Sequence, residues 1–418
     1  MYKRLLNYLN SKNIIYTYQF GFLKKHTTCD ALISLLDYVV SAMERGDSVI
    51  GLFLDFRKAF DTVDHNILLD KLSYYGIRGF ALDWFKDYLC NRQQYSSFKG
   101  NSSSSKSVVC GVPQGSILGP LLFLIYINDL ASVSNVLFPI MFADDTSIFI
   151  SGKDLKQLFT DMNNELIKMS NWLISNKLSL NLDKTHFMIF QKGQTHGSDY
   201  NLTFNQSNIN RIYQTKFLGV IVDVKLTWKA HIDYISKKVA KGVGILSKIR
   251  NLINTRTKIT IYYSFIYPYL IYCNLVWGNS CTSYLNRLTT LQQRAVRIMS
   301  NAPYLSNTSV LYSNLSLLKI HEIYVYMVAI FMYKIVQGDA LKIYKSMFEY
   351  NFEIHTRFTR RLFDFHLPKV KSNLSKRHIR FSGSKIWNNI SKHVLCHMNL
   401  PQFKSFVKKG IVNHIIQL

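Results

Sequence analysis

Acidic residues are scarce in this chain. Its 418 residues include 25 aspartates and glutamates against 51 lysines and arginines, which leaves a formal charge of +26 at pH 7. Because such a surface repels itself unless a polyanion or counterions neutralise it, the composition favours nucleic acid as a partner. Charge alone does not distinguish this interpretation from a ribosome-like protein or a simply soluble basic protein.

Cysteine is also rare, and its pattern excludes two common uses. The six cysteines lie far apart and form neither CxxC pairs nor the Cys/His spacing of a zinc knuckle. We therefore expect reduced thiols in an intracellular protein. The absence of a signal-peptide pattern at the start of the sequence indicates that the protein is not secreted.

No apolar run is long and continuous enough to predict a membrane span. The most membrane-like stretch, residues 259–277, is rich in tyrosine and contains Pro268 and Asn274. It predicts a buried pair of helices instead, and we expect no membrane partner. With 48% hydrophobic and 14% aromatic residues, the chain can bury a core divided over two or three packed regions.

The first part of the chain mixes helical and strand-like spacing. Leu5, Leu6 and Leu9 have helical spacing but follow no element on which they could pack, and residues 29–43 predict an amphipathic helix. Residues 47–60 alternate and end in acids, which predicts a half-buried strand running into a turn. We find no internal repeat.

Turn and cap residues divide the next segment. Asp64 is placed to cap a helix and Gly76 to end it, whereas residues 101–105 predict a polar loop. The turn in VPQG then precedes an apolar run from Ile117, which predicts a mostly buried helix with Ser116 as its cap.

The segment NVLFPIMFADDTSIFISG predicts two short strands with Asp144 and Asp145 at the bend between them. Residues 154–178 predict a helix, and LSLNLDKTHFMIF returns to the alternation of a strand. KFLGVIVD, Lys216–Asp223, predicts one further short strand. Beyond Leu226 the spacing becomes helical.

A dense basic run follows residue 351, where short apolar pieces alternate with lysines and arginines. Arg357, Arg360 and Arg361 are candidates for contacts with nucleic-acid backbone phosphates, an interaction that tolerates any base sequence and weakens with salt. A solvated surface is the alternative interpretation.

Acids at strand ends form the pattern that two-metal phosphoryl transfer requires. Asp55 follows GLFL, and Asp144 and Asp145 lie at a hairpin tip. Mg²⁺ prefers carboxylate oxygens and keeps coordination positions for substrate phosphates. Each acid alone has an ordinary explanation as a turn or a solvated strand end. Their joint occurrence, in order and with a glycine-rich turn between them, indicates a site.

These segments carry a family resemblance. FLDFRKAFDTVDH, GVPQGSILGP and FADD resemble, in order and spacing, motifs A, B and C of reverse transcriptases, and the first two resemble the non-LTR, Jockey-like retrotransposon branch. NKLSLNLDKTHFMIF is similar to motif D and KFLGV to the primer-grip motif E. The specific resemblance covers Gln19 to Asp223, and HIRFSGSKIWNNI is more loosely similar to the C-terminal part of these element proteins.

The resemblance implies an α+β right-hand polymerase with a palm sheet, residual fingers and a helical thumb. We expect partial fingers and palm over residues 1–225, a thumb-like region over 226–300, and a basic, mostly helical region over 301–418. Because the sequence begins just before QFGF, we expect an N-terminal truncation that removes basic contacts to the triphosphate.

The resemblance also implies roles for charged residues. The metal ligands fall on Asp55 and Asp144, with Asp145 as the adjacent acid of the motif, and together they would hold two Mg²⁺ ions. Lys184 falls on the motif D lysine, which would neutralise or protonate the departing pyrophosphate. All four are therefore candidate catalytic residues.

Three further residues fall on nucleotide-binding positions of the family. Phe60 takes the place of a bulky aromatic under the sugar, which excludes a 2′-hydroxyl, although core packing is the alternative for a phenylalanine. Gln114 and Gly115 belong to the motif B turn beside the incoming nucleotide and template.

The implied reaction is the addition of dNTPs to a primer 3′ end. The implied partners are an RNA template, a DNA primer and the element's own RNA, in a nuclear or cytoplasmic ribonucleoprotein. A catalytically impaired, nucleic-acid-binding remnant of a mobile element is the alternative, and a maturase-like RNA-folding protein is a third hypothesis.

Overall fold

The computed structural model describes residues 1–193, 200–354, 362–390 and 398–413. The chain divides into two compact units, of which unit 1 comprises residues 1–31 and 46–213 and unit 2 comprises residues 32–45 and 214–418. Helix α2 (Thr28–Arg45) therefore begins in unit 1 and continues in unit 2. The three-part division expected from the sequence stays a prediction.

Unit 1 combines a mixed sheet with helices. Its other helices are α1 (Tyr2–Ser11), α3 (His65–Tyr74), α4 (Phe80–Leu89), α5 (Leu118–Ile127) and α6 (Leu155–Ser175), with a 3-10 helix at Asn128–Ser132. Its strands are β1 (Ser48–Leu54), β2 (Gln93–Gln94), β3 (Ser97–Phe98), β4 (Asn101–Ser102), β5 (Lys106–Ser107), β6 (Phe138–Phe142), β7 (Asp145–Gly152), β8 (His186–Phe190), β9 (Leu202–Phe204) and β10 (Ser207–Arg211). The α+β class is confirmed.

The main sheet has the strand order β6-β7-β1-β8-β10-β9. Strand β1 is central and pairs antiparallel with both β7 and β8. Every residue of β1 after Ser48 is buried, so the predicted half-buried strand is wrong. Both faces are covered, which explains why VIGLFL is a continuous apolar run. At Gly51 an added Cβ would lie 2.7 Å from the Phe149 ring, so glycine allows that ring to pack on the strand.

Helix α5 anchors the core of unit 1. All its residues except Pro120 are buried, as the apolar run predicted. Helix α1 packs against α5 through Leu5 and Leu9, so its partners come later in the chain. Ser116 Oγ accepts a hydrogen bond from the Gly119 backbone N–H at 2.9 Å, but the N-cap residue of α5 is Ile117 and not the predicted Ser116.

The predicted residues at the start and end of α3 are confirmed, but the loop predicted over 101–105 is only partly present. Asp64 caps α3 by accepting from the backbone N–H groups of Asn66 and Ile67, and Gly76 follows the helix with φ of 91°. The predicted loop over 101–105 is partly wrong, because Asn101–Ser102 forms β4, which pairs with β3, whereas residues 103–105 form no strand. Outside this hairpin, β2 pairs with β5. Residues 93–107 form an arm in which every side chain is exposed.

Unit 2 is mainly helical, as predicted beyond Leu226. Its helices after α2 are α7 (Lys229–Ile249), α8 (Thr255–Phe265), α9 (Tyr267–Ile271), α10 (Asn274–Trp277), α11 (Thr282–Met299), α12 (Thr308–Asn314), α13 (Ile320–Val336), α14 (Asn351–Ile354), α15 (Asn373–Arg377), α16 (Ile379–Ile390) and α17 (Leu400–Val412), with a 3-10 helix at Lys342–Lys345. The stretch 259–277 forms three short helices rather than two. Within the described ranges, no helix is long and apolar enough to cross a membrane.

A two-stranded hairpin opens unit 2. Residues Lys216–Asp223 were predicted as one strand, but β11 (Gln214–Phe217) pairs with β12 (Val220–Asp223). Leu218 and Gly219, with φ of 45° and 82°, form the two-residue turn between them. Positive φ at both central residues is the backbone that such hairpins require, and a leucine there carries no sequence signal for it.

Candidate active site

Three carboxylates meet where neighbouring strands end. Leu54, the last residue of β1, pairs with Thr146 of β7, so Asp55 lies level with Asp145 in the register. Residues directly opposite in antiparallel strands have Cα atoms about 5 Å apart. Asp144 lies in the two-residue turn between the paired residues Phe142 and Asp145. The structure therefore brings the three predicted acids together.

The electrostatics of this corner favour a cation. Burial raises the pKa of Asp144, and the neighbouring Asp55 carboxylate raises it further. Burial likewise raises the pKa of Asp145, with added effects of Asp144 and Asp55. When burial and neighbouring carboxylates raise the pKa of a carboxyl group, a nearby positive charge stabilises its ionised form.

Lys184 is placed beside these acids. Its Nζ lies 3.9 Å from Asp55 Oδ2, and both side chains are exposed. Residues on both sides of Lys184 hold the Asp55 backbone. Asn181 N–H donates to the Asp55 carbonyl at 2.7 Å, and Asp55 N–H donates to Thr185 Oγ1 at 3.3 Å. The motif D segment therefore supports the strand end that carries Asp55.

A buried glutamine holds the hairpin tip, and the motif comparison had assigned it no role. Gln19 is 1% exposed, and its Oε1 accepts from the backbone N–H groups of Gly21 at 2.8 Å and Ala143 at 3.0 Å. An added Cβ at Gly21 would lie 2.4 Å from the Ala143 nitrogen. Gln19 thus fixes the residue before Asp144. No local sequence pattern could have revealed this contact, because Gln19 and Ala143 lie 124 residues apart.

Phe60 occupies a position that fits both of its predicted roles. Its ring stacks on Phe123 with centroids 4.3 Å apart and meets Phe22 edge-on at 6.1 Å. The side chain is half-buried, and Phe22 is 52% exposed. Phe60 therefore packs on the core with one side and lies near the surface with the other.

The motif B turn is attached to the motif A segment. Gln114 Nε2 donates to Asp61 Oδ1 at 2.7 Å, and Asp61 directly follows Phe60. Gly115 has φ of 80°, a left-handed conformation that favours glycine. The turn predicted at this position is confirmed, and its glutamine is held at the residue after the candidate sugar-contacting aromatic.

A family model described as "Reverse transcriptase (RNA-dependent DNA polymerase)" matches residues 1–222. The chain belongs to the reverse transcriptase family. Among its relatives, the RNA-directed DNA polymerase from mobile element jockey of Drosophila melanogaster is 30% identical and covers 73% of this chain and 34% of its own length. The probable RNA-directed DNA polymerase from transposon X-element of the same organism is 27% identical, with 76% and 36% covered.

The predicted likeness to non-LTR retrotransposon reverse transcriptases is thereby confirmed. The chain spans about a third of the length of the curated relatives it matches. A solved structure of apo telomerase from Candida tropicalis is also similar, with a TM-score of 0.41 and 10% identity, and covers 83% of this chain and 60% of its own.

Reverse transcriptases generally use a divalent metal ion, and the donors present here fit one. Within the described ranges, no group of three or more histidine, cysteine or acidic side chains is arranged to hold a metal ion. The palm acids of a polymerase share their metals with substrate, since phosphate oxygens complete the octahedral shell of Mg²⁺. Asp55, Asp144 and Asp145 supply hard oxygen donors and negative charge at one place.

Arg357, Arg360 and Arg361 fall outside the described residues, so their contacts with the nucleic-acid backbone stay predictions. The cluster of this reverse transcriptase that the structure does bring together consists of Asp55, Asp144, Asp145 and Lys184.

Proposed function

We propose that this chain is the polymerase part of a non-LTR retrotransposon protein and adds dNTPs to a primer 3′ end on an RNA template. The observation that supports this best is the register that sets Asp55 level with Asp145 beside Asp144. Two Mg²⁺ ions are the proposed cofactors. The element's own RNA and a nuclear or cytoplasmic ribonucleoprotein are the proposed partner and location.

The proposed roles follow from position and charge. Asp55 and Asp144 would hold the metal ions, and Asp145 would add negative charge to the same corner. Bound divalent ions supply Lewis acidity, which favours loss of the primer hydroxyl proton and offsets charge on the leaving pyrophosphate. Lys184 would stabilise that pyrophosphate, and Phe60 would exclude a 2′-hydroxyl.

The test is primer extension by the full chain on a homopolymer RNA template. Asp55→Asn and Asp144→Asn should each lower incorporation by roughly a hundredfold or more, because each removes a metal ligand worth several kcal/mol in the transition state. Asp87→Asn, which removes an exposed carboxylate on α4, should leave the rate unchanged.

Normal extension by either active-site variant would contradict the assignment of that residue. A wild-type chain that binds RNA but incorporates nothing would instead support the alternative of a nucleic-acid-binding remnant.

A further inference from the structure

A cavity of about 470 Å³ lies in unit 2, lined by residues of α13 and α16 and by the start of α11. This volume lies within the range of pockets that hold a small molecule or a few side chains. Leu285, Val325 and Ile390 line the cavity and are at most 8% exposed. An apolar group that enters the cavity therefore leaves water for an aliphatic surface.

Polar groups of the cavity wall pair with one another. Tyr324 and Ser382 are both buried, and their hydroxyl groups share a hydrogen bond of 2.7 Å. Asn279 Nδ2 donates to the Arg377 carbonyl at 3.1 Å. Ser280 differs, because its Oγ is buried and has no hydrogen-bond partner among the described residues. Since a buried hydroxyl without a partner is costly, a ligand that offers a backbone N–H or C=O group would satisfy it.

Three exposed cations line the same cavity. They are Lys376, Arg377 and Lys385, and no acidic residue is among the described residues that line it. Within the described ranges none of the three forms a salt bridge. His321 also lines the cavity, and its Nε2 lies 3.7 Å from Oε1 of the buried Glu322, which lies outside the cavity. The three cations therefore complement an acidic ligand.

These cations are spread along the cavity. Helix α15 ends with Lys376 and Arg377, and Lys385 lies six residues beyond Ile379, the first residue of α16. At about 1.5 Å per residue this is roughly 9 Å along α16, more than the width of one carboxylate or phosphate. An extended peptide advances about 3.3 Å per residue, so acidic side chains about three residues apart match this separation. The spacing fits several carboxylates of a peptide rather than a single anionic head group.

The lining favours a peptide over a nucleic-acid strand. Bases bind proteins by stacking on flat aromatic or guanidinium faces, and every nucleotide carries a charged phosphate. Of the aromatic rings in the lining, Tyr324 is buried and Phe381 is half-buried, so neither presents a fully exposed face. The aliphatic Leu285, Val325 and Ile390 match an apolar peptide side chain in chemistry. The cavity therefore combines a pocket for an apolar anchor with cations for flanking acids.

We propose that this cavity binds a peptide segment of a partner protein, in which one or two bulky apolar side chains are flanked by aspartate or glutamate residues. The apolar side chains would fill the cavity, and the acidic side chains would contact Lys376, Arg377 and Lys385. The Ser280 hydroxyl would bond to the peptide backbone. This interaction goes beyond the proposed polymerase function and requires no incorporation at the palm acids.

The test measures binding of a labelled hexapeptide to the full chain by fluorescence anisotropy. The peptide has a central leucine–phenylalanine pair with two acidic residues on each side. Replacing the apolar pair by two glycines should weaken binding about tenfold or more, because two apolar side chains no longer leave water. Replacing the acids by their amides should also weaken binding and remove most of its salt dependence. A glycine peptide that binds as tightly as the parent would show that charge alone holds it, which contradicts the proposal.

Two pairs of variants at exposed positions test the cavity itself. Thr282 lines the cavity, so Thr282→Trp should obstruct it and weaken binding of the parent peptide about tenfold. Ser283, the next residue, lies outside the cavity, and Ser283→Trp should bind like the wild type. Lys385→Gln should weaken binding about threefold, as expected for one exposed ion pair, whereas Lys404→Gln on α17 should change little.

Melting temperatures separate loss of binding from loss of fold, because these exposed changes should leave the free chain as stable as the wild type. Asp144→Asn should also bind the peptide normally, so failure of the proposed polymerase function would appear in primer extension alone. Equal peptide affinity in Thr282→Trp and Ser283→Trp would overturn the proposal. A single-stranded RNA that displaces the peptide, and that binds Thr282→Trp more weakly than Ser283→Trp, would instead assign the cavity to nucleic acid and exclude the peptide.

Discussion

Two carboxyl groups with raised pKa values at one hairpin tip make stability depend on pH. Because the pKa values of Asp144 and Asp145 are raised above the ordinary 3.8, the folded chain binds these protons more tightly than the unfolded chain does. Their contribution to stability is therefore present below about pH 4 and is lost as pH rises through the raised pKa values.

Asp144→Asn should consequently melt at a higher temperature than the wild type at pH 7 in EDTA, and this difference should shrink towards pH 4. Mg²⁺ at pH 7 should raise the melting temperature of the wild type more than that of the variant. Calorimetry or circular dichroism measures both effects, with Asp87→Asn as the control. A variant that melts below the wild type at pH 7 in EDTA would contradict this account.

Gln19 is a positioning residue: its side chain binds the backbone of Ala143, beside Asp144, and makes no contact with the substrate in the proposed reaction. Gln19→Leu removes the acceptor of two buried N–H groups, and a displacement of about 1 Å at a reacting centre costs roughly a hundredfold in rate. We expect kcat to fall with little change in KM for dNTP, and the Mg²⁺ concentration for half-maximal rate to rise.

A purely structural role for Gln19 would lower stability without moving that Mg²⁺ midpoint. Gln157→Leu, the same change at an exposed position of α6, should alter neither quantity.

Phe60 can be tested through sugar choice. Phe60→Val shortens a ring packed on Phe123, so stability should fall by roughly 1–3 kcal/mol in any case. If the ring also excludes a 2′-hydroxyl, the ratio of rNTP to dNTP incorporation should rise. Primer extension with each nucleotide type measures this ratio, and an unchanged ratio in a destabilised variant would leave core packing as its only role.

Among the secondary-structure elements, the β11–β12 hairpin depends on a tyrosine distant in sequence. Tyr272 Oη donates to the Leu218 carbonyl at 2.8 Å, and an added Cβ at Gly219 would lie 3.1 Å from the Tyr272 ring. The resemblance assigns this hairpin to the primer grip. Tyr272→Phe should therefore cost about 1 kcal/mol of stability.

The same variant should raise KM for primer–template while leaving KM for dNTP unchanged. Steady-state primer extension measures the two KM values separately. Tyr269→Phe on α9 is the matched control. A rise in KM for dNTP alone would show that the hairpin acts on the nucleotide and not on the primer.

The sequence predicted elements well where local chemistry decides them. The cap at Asp64 and the all-round apolar α5 depend on neighbours a few residues away. The sequence did not predict elements that depend on strand pairing. In the exposed arm over 93–107, polar residues form paired strands without apolar alternation. The sequence also did not predict the left-handed turn at Leu218, because leucine gives no turn signal.

At the scale of the whole molecule, the acids of the site could be predicted, but not what holds them. Asp55, Asp144 and Asp145 stand out through motif order, and the structure brings them together. The hydrogen bond from Ala143 to Gln19 joins residues 124 apart in sequence. Single-residue patterns contain no information on such a pair, because it forms only after the strand register is set.

The interleaved division of the chain has a consequence for its synthesis on the ribosome. Residues 32–45 belong to unit 2, yet 168 residues of unit 1 separate them from the next part of unit 2. At elongation rates of 5–20 residues per second, this part of α2 waits for roughly 10–30 s before its partners emerge. Leu32, Leu35 and Val39 of this part are fully buried in the folded chain, and the unit to which they belong is incomplete during that time. Nascent chains should therefore recruit a holding chaperone at this helix, and slower translation should lower the yield of folded protein.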